Sequence, residues 1–331
     1  MKSSLMVYLM ICLGFSMVAC KKVIPRNNLE SNTDKNTDTI AVEECKKCLV
    51  VSEQLKDRVA ILDVNSGNLI WEWTPQKSNV PYEHWSWFRL IDEAKPVYNG
   101  KYLLITATNG GIAMVRVKDK RTVWYAHSDG KPHSAELLPD GNVVSANATG
   151  LTLTFFSVDS LKKGTQAKKN TYYLGEGHNV VWDKKRNVLW TTSHDKLKSF
   201  TYNNNCEDPN ILAEVDNFNL PSSLPHDLFP VYGEDAFWLS TSNFPYRFDF
   251  STKTFTRLTT PLQNKVKSIS SGPADFPVVI IQGKEDYWTD EIKDFNGASV
   301  YQESNLKIYK ARWLLPNEFS YTAAEAFKQC N

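Results

Sequence analysis

One phrase of this chain returns, and the return limits what it can fold into. "PHSAELLPDGNVVSANATG" begins at Pro132, and its outline recurs in "GHNVVWDKKRNVLWTTSH" from Gly177 and "PHDLFPVYGEDAFWLSTS" from Pro225. Each copy opens on a histidine (His133, His178, His226), runs through a short apolar stretch, turns, and enters a second β-type run ending in small polar residues. The series extends forward to Lys267 in "VKSIS" and Lys310 in "YKARW", and back to Trp87 in "HWSWFRL". Six openings at intervals of 41 to 48 residues match the length of a four-stranded propeller blade.

The runs between the openings carry β-type alternation and little helical periodicity, separated by Gly, Asn, Asp and Pro turns. Only "TAAEAFKQ", near the C-terminus, reads as a helix. The ends suggest how the ring shuts. "YKARWLL" supplies one strand, and residues 48–73 supply about three, "CLVVSEQ", "RVAILDV" and "NLIWEW". One blade built from both termini leaves no free sheet edge at the join. The expected fold is all-β, a six-bladed β-propeller closed by pairing of N- and C-terminal strands, with seven blades as the alternative.

The expected domains are a signal segment (1–19), a lipidated Cys20 with a disordered tether (20–44), and one propeller (45–331). In "MKSSLMVYLMICLGFSMVAC" the apolar run is too short to span a membrane and fits a secretory signal. Its end, Met17-Val18-Ala19-Cys20, resembles a bacterial lipoprotein lipobox, which implies acylation at Cys20. The Lys21-Lys22 that follows resembles an outer-membrane sorting pattern, so the implied location is the bacterial envelope, on either face. Residues 21–44 are polar and aperiodic, which reads as a tether reaching on the order of 25–30 Å.

Charge and cysteine content narrow the class further. A formal net charge of +1 offers no global field for nucleic acid, and the membrane would be met through the lipid alone. "CKKC" at 45–48 is open to a redox pair, half a zinc site or two separate thiols. A structural role near the chain ends is preferred, with a bridge to Cys330 among the pairings. Pairing among Cys45, Cys48, Cys206 and Cys330 does not follow from sequence.

The first strand of each blade lines a propeller's axis, so the aligned openings converge. The expected ligand-binding set is Trp85 or Trp87, Arg89, His133, His178, His226, Asp227, Lys267, Lys310 and Arg312. Such a cationic and aromatic lining suits an anionic or polyhydroxyl ligand, because Lys and Arg donate charge-assisted hydrogen bonds and Trp offers a face to a sugar ring. His133, His178 and His226 are also a three-imidazole ligand set for a divalent metal, the cofactor expected if the ring is catalytic. The structural alternative ties the same histidines into hydrogen bonds between blades. Isolated His84, His127 and His194 read as structural.

The phrases "WEWTP", "PHSAELLPDGNVV", "GHNVVWD", "PHDL", "VKSIS" and "YKARW" together resemble an uncharacterised family of bacterial envelope lipoproteins with a propeller domain. That resemblance implies a fold and no activity. By fold analogy with oligogalacturonate lyases, an enzymatic version would be a metal-assisted lyase or hydrolase on acidic glycans. The lining lacks the carboxylate pair of a glycoside hydrolase, with Asp227 the single acid next to an opening. The expected function is therefore a lipid-anchored, monomeric propeller whose funnel binds or processes a glycan-like ligand. The alternative is a non-enzymatic protein-interaction propeller.

Overall fold

The computed structural model describes residues 37–321 and 327–329. Cys20 and the signal segment lie outside the described residues, as does most of the predicted C-terminal helix. Helix Thr37–Glu44 occupies the last part of the expected tether, and its Val42 packs on the apolar core shared by blades one and two. The tether reading therefore does not extend to residue 44.

Six four-stranded antiparallel sheets make up the body of the described fold, which settles the count at six blades instead of seven. Blade one joins strand Ile308–Trp313 to Cys48–Glu53, Arg58–Asp63 and Asn68–Trp73, in that order from the axis outward. The closure is the expected one. Leu49 faces Trp313, and Val51 faces Ala311. Blades two to six open on strands Ile91–Val97, Pro132–Leu137, Asn179–Asp183, Pro225–Pro230 and Val266–Ser270. Cores fill the gaps between neighbouring blades. Between blades four and five, for example, Trp190 is enclosed by Phe218, Phe237, Phe248 and Phe250.

The inner strands share a detail that positions the site. In blades one, two, three, five and six the pairing skips one residue near the start of the strand: Tyr309, Asp92, His133, His226 and Lys267. These are β-bulges, each inserting an extra residue against its partner strand. In blade four His178 takes the same place, one residue before Asn179 opens the pairing with Thr192. The bulged residue and the one after it both reach axial groups, whereas an unbroken strand would alternate them between axis and core.

Cys45 and Cys48 are bonded to each other, so neither reaches Cys330. Cys206 is also in a disulfide.

Candidate functional site

Two stacked layers follow from the bulges. The outer layer is Asp92, His133, His178, His226, Lys267 and Tyr309. The layer beneath is Glu93, Ser134, Asn179, Asp227, Ser268 and Lys310. Lys95, Glu136 and Arg312 sit deeper along the same strands.

The deep layers form an ionic plug. Arg312 donates from Nη1 to Asp227 Oδ2 at 3.0 Å and to the Ile269 carbonyl at 3.0 Å, and from Nη2 to Glu93 Oε1 at 2.6 Å and to Asp227 Oδ1. Its guanidinium also lies 4.1 Å from the centre of the Phe229 ring. Lys95 Nζ donates to Glu136 Oε2 at 3.0 Å and to the Val180 carbonyl at 2.6 Å. Ser134 Oγ donates to Glu93 Oε2 at 2.6 Å. Lys310 Nζ sits less tightly, 3.4 Å from both Asn179 Oδ1 and Asp227 Oδ1 and 3.6 Å from Glu93 Oε1. Burial this complete is tolerable only because each charge has opposite partners.

The plug separates its two glutamates electrostatically. Burial opposes ionisation of Glu93, but Lys310, Lys95 and Arg312 outweigh it and hold the carboxyl well below the usual range. Burial dominates at Glu136, where Lys95 compensates only in part, and the carboxyl is pushed up to about 7. The folded state thus holds the Glu136 proton more tightly than the unfolded chain does. Stability from this group falls as pH rises from the ordinary glutamate range through about 7. Glu93 acts in the opposite direction and only at lower pH. Between pH 5 and pH 8, Glu136→Gln is expected to remove on the order of 1–3 kcal/mol of the wild-type decline. Urea denaturation of both proteins at the two pH values checks this, and an equal decline in both would count against it.

The outer layer is built differently. Lys267 is 2% exposed, yet its ammonium has no carboxylate and no hydrogen bond among the described residues. The ring of Tyr287 is centred 5.0 Å from it. Burial, then Lys310 and Lys265, bring its pKa down to about 8. The His133 and His178 rings stack with centres 5.1 Å apart, and His226 meets His178 edge-on at 5.8 Å. Burial chiefly, then the neighbouring imidazoles and lysines, depress His178 to about 2. Burial, then Lys267 and Lys310, take His226 to about 3. Both rings are neutral at ordinary pH.

Hydrogen bonding in this layer is incomplete. His226 Nε2 meets Ser242 Oγ at 3.2 Å. The buried Nδ1 atoms of His133 and His178 have no hydrogen-bond partner among the described residues. His133 Nδ1 is 3.2 Å from Asp92 Oδ1, but out of line for a hydrogen bond. Asp92 itself is fixed by Thr108 Oγ1 at 2.8 Å and by Gln54 Nε2 at 3.4 Å. Buried polar atoms left in this way cost about 1–3 kcal/mol each, so a layer that keeps them is poorly explained by stability alone.

Of the residues expected to converge, the structure gathers His133, His178, His226, Asp227, Lys267, Lys310 and Arg312 on the axis. Lys310 lies one residue deeper than expected, because Tyr309 occupies the bulge. Arg312 and Asp227 are consumed by the plug. Trp85 and Trp87 require correction: they belong to a 3-10 helix, Tyr82–Phe88, that precedes the inner strand of blade two. Trp87 stacks on His84 at 3.8 Å, and Trp85 donates to the Val80 carbonyl. Arg89 is largely exposed and pairs loosely with Asp57 at 3.8 Å. The residue at the blade-two bulge is Asp92.

The three-histidine metal reading also requires correction. Stacked rings do not aim their nitrogens at one point, and no group of three His, Cys, Asp or Glu among the described residues has metal-holding geometry. His84 and His194 have local partners, Tyr125 at 3.0 Å and Glu176 at 2.7 Å. Sequence reasoning missed Asp92, Glu93, Lys95, Glu136 and Tyr309. The signal for the four charged ones was charge inside otherwise apolar strands, in "IDEAKPV" and "PHSAEL".

A ring of six four-stranded sheets, sealed by its own termini around an ionic axis, defines the chain as a six-bladed β-propeller. It belongs to the family of unknown function DUF6528, which matches residues 1–328. A solved protein of unknown function from Bacteroides caccae is similar in fold. Its TM-score is 0.55 at 14% identity, over 81% of this chain and 98% of that one. The β-propeller domain of Cps50 (Swd1) from Myceliophteria thermophila gives 0.50 at 10% identity, over 79% and 86%. At such identities the likeness concerns the fold alone. No curated protein sequence matches the chain.

Proposed function

We propose that the outer layer is the binding site of an acidic glycan ligand, carried on a lipid-anchored propeller of the bacterial envelope. The observation that supports this most is Lys267, which is 2% exposed and whose ammonium has no counter-ion among the described residues, set beside imidazole nitrogens that lack partners there. A ligand carboxylate would give Lys267 its missing charge and the imidazole N–H groups a further acceptor. Tyr309 and Tyr287 replace Trp85 and Trp87 as the aromatic surfaces near such a ligand. The anchor reading rests on the Met17–Cys20 lipobox resemblance, and palmitate labelling of wild type against Cys20→Ala tests it.

The binding reading is tested by calorimetric titration of the full chain with D-galacturonate, using D-galactose as the neutral control. Galacturonate is expected to bind and galactose to bind at least tenfold more weakly. Lys267→Met should weaken galacturonate about tenfold or more, the equivalent of one charge-assisted hydrogen bond. Equal affinity for both sugars, or a Lys267→Met chain that binds galacturonate unchanged, would overturn the reading. Failure of any sugar to bind would favour a protein-interaction propeller.

A further inference from the structure

We propose that His133 takes up a proton when the outer layer binds a carboxylate, so that the ligand enters with a proton. This rests on the binding reading above and adds to it how the site balances charge.

The argument begins with the charge inventory of the axis. Asp92, Glu93, Glu136 and Asp227 face Lys95, Lys267, Lys310 and Arg312, and all eight are buried. Acids and bases are matched in number once Glu136 is ionised, above about pH 7, so a carboxylate entering this region then brings an excess negative charge. Burial makes that excess costly unless a cation arrives with it or forms in place. An imidazole is the side chain suited to form such a cation in place, and three stand in the outer layer.

Geometry selects among the three. His133 faces Asp92 from blade two, His178 from blade four and Tyr309 from blade one, with its Nδ1 3.2 Å from the Asp92 carboxylate. His178 lies between two imidazoles, His133 and His226, and has no carboxylate paired with it among the described residues. His226 already shares a hydrogen bond with Ser242 and is disfavoured as a cation by Lys267 from blade six and Lys310 from blade one. A protonated His133 would stand between the Asp92 carboxylate and the incoming one. A small rotation of the ring brings its unsatisfied Nδ1–H into line with Asp92, and Nε2–H is then free to donate to the ligand. Neutral His133 can offer only one N–H to these two acceptors.

Neutralisation of Lys267 towards about pH 8 and ionisation of Glu136 around pH 7 also weaken an anion, so the test has to separate these titrations from that of His133. Galacturonate binding to the full chain is measured between pH 6 and pH 8, in pairs of buffers of different ionisation enthalpy. Wild type is expected to take up close to one proton per ligand within that window. Its affinity is expected to fall about tenfold per pH unit where uptake is complete, as one linked proton requires. His133→Gln keeps an N–H donor without the titration, and is expected to bind more weakly with almost no uptake. Asp92→Asn, which removes the second carboxylate, is expected to lower the uptake while retaining binding. Binding without proton uptake in wild type, or unchanged uptake in His133→Gln, would overturn the inference and leave the binding reading standing. Absence of binding at every pH would overturn the binding reading itself, and this inference with it.

Discussion

Arg312→Met is expected to lower the unfolding free energy by about 3–5 kcal/mol, the usual cost of removing one partner from a buried ionic group. Its guanidinium links strands of three blades, through Asp227 and Ile269 on the inner strands of blades five and six and Glu93 on that of blade two. Without it, Asp227 keeps Lys310 as its cation at 3.4 Å, and Glu93 keeps only Lys310 at 3.6 Å and Lys95 at 3.7 Å. The fourfold variant Glu93→Gln, Asp227→Asn, Lys310→Met and Arg312→Met removes the charges together, and should recover at least half of the loss. Guanidinium denaturation of the two variants and wild type measures both effects. A cost below about 1 kcal/mol for Arg312→Met, or a fourfold variant less stable than the single one, would mean that the plug is not organised around this arginine.

The larger effect should come from opening the ring. A chain ending at Lys307 lacks Ile308–Trp313, the strand that pairs Cys48–Glu53 and carries Tyr309, Lys310 and Arg312. It would leave the Cys48–Glu53 backbone unpaired beside the axis and strip the plug of two of its cations. The expected outcome is loss of cooperative unfolding and of near-ultraviolet circular dichroism. A chain ending at Leu315 keeps that strand and should still unfold cooperatively. If the Lys307 truncation unfolded in one sharp transition close to wild type, closure by the termini would not be what holds the ring.

Blade number and closure were legible in the sequence because every blade repeats the same order of apolar run, turn and small polar residues. The histidines marked the phase well in blades three, four and five, where the bulged or opening residue is itself a histidine. The phase failed where the equivalent residue looked different. In blade two it is Asp92, and the aromatic segment Tyr82–Phe88 just upstream drew the alignment to Trp87. In blade one it is Tyr309, and the more conspicuous Lys310 was taken instead. A bulge leaves no composition of its own, so nothing local in the sequence says that two consecutive residues share the axis. The plug was hidden for a related reason. Glu93, Lys95 and Glu136 come from blades two and three and meet one another and partners from blades one and four, a convergence that only the closed ring creates.

The bulges also bear on how such a protein can diversify. A regular strand gives each axial residue two neighbours in the core, so changing the lining disturbs packing on either side. Here an added residue sits above the plug and outside the regular pairing in five blades. Exchanging Asp92, His133, His226, Lys267 or Tyr309 therefore leaves the paired register of the blade as it was. The scaffold can acquire a new specificity by rewriting one rim, while the charges beneath continue to hold the blades together.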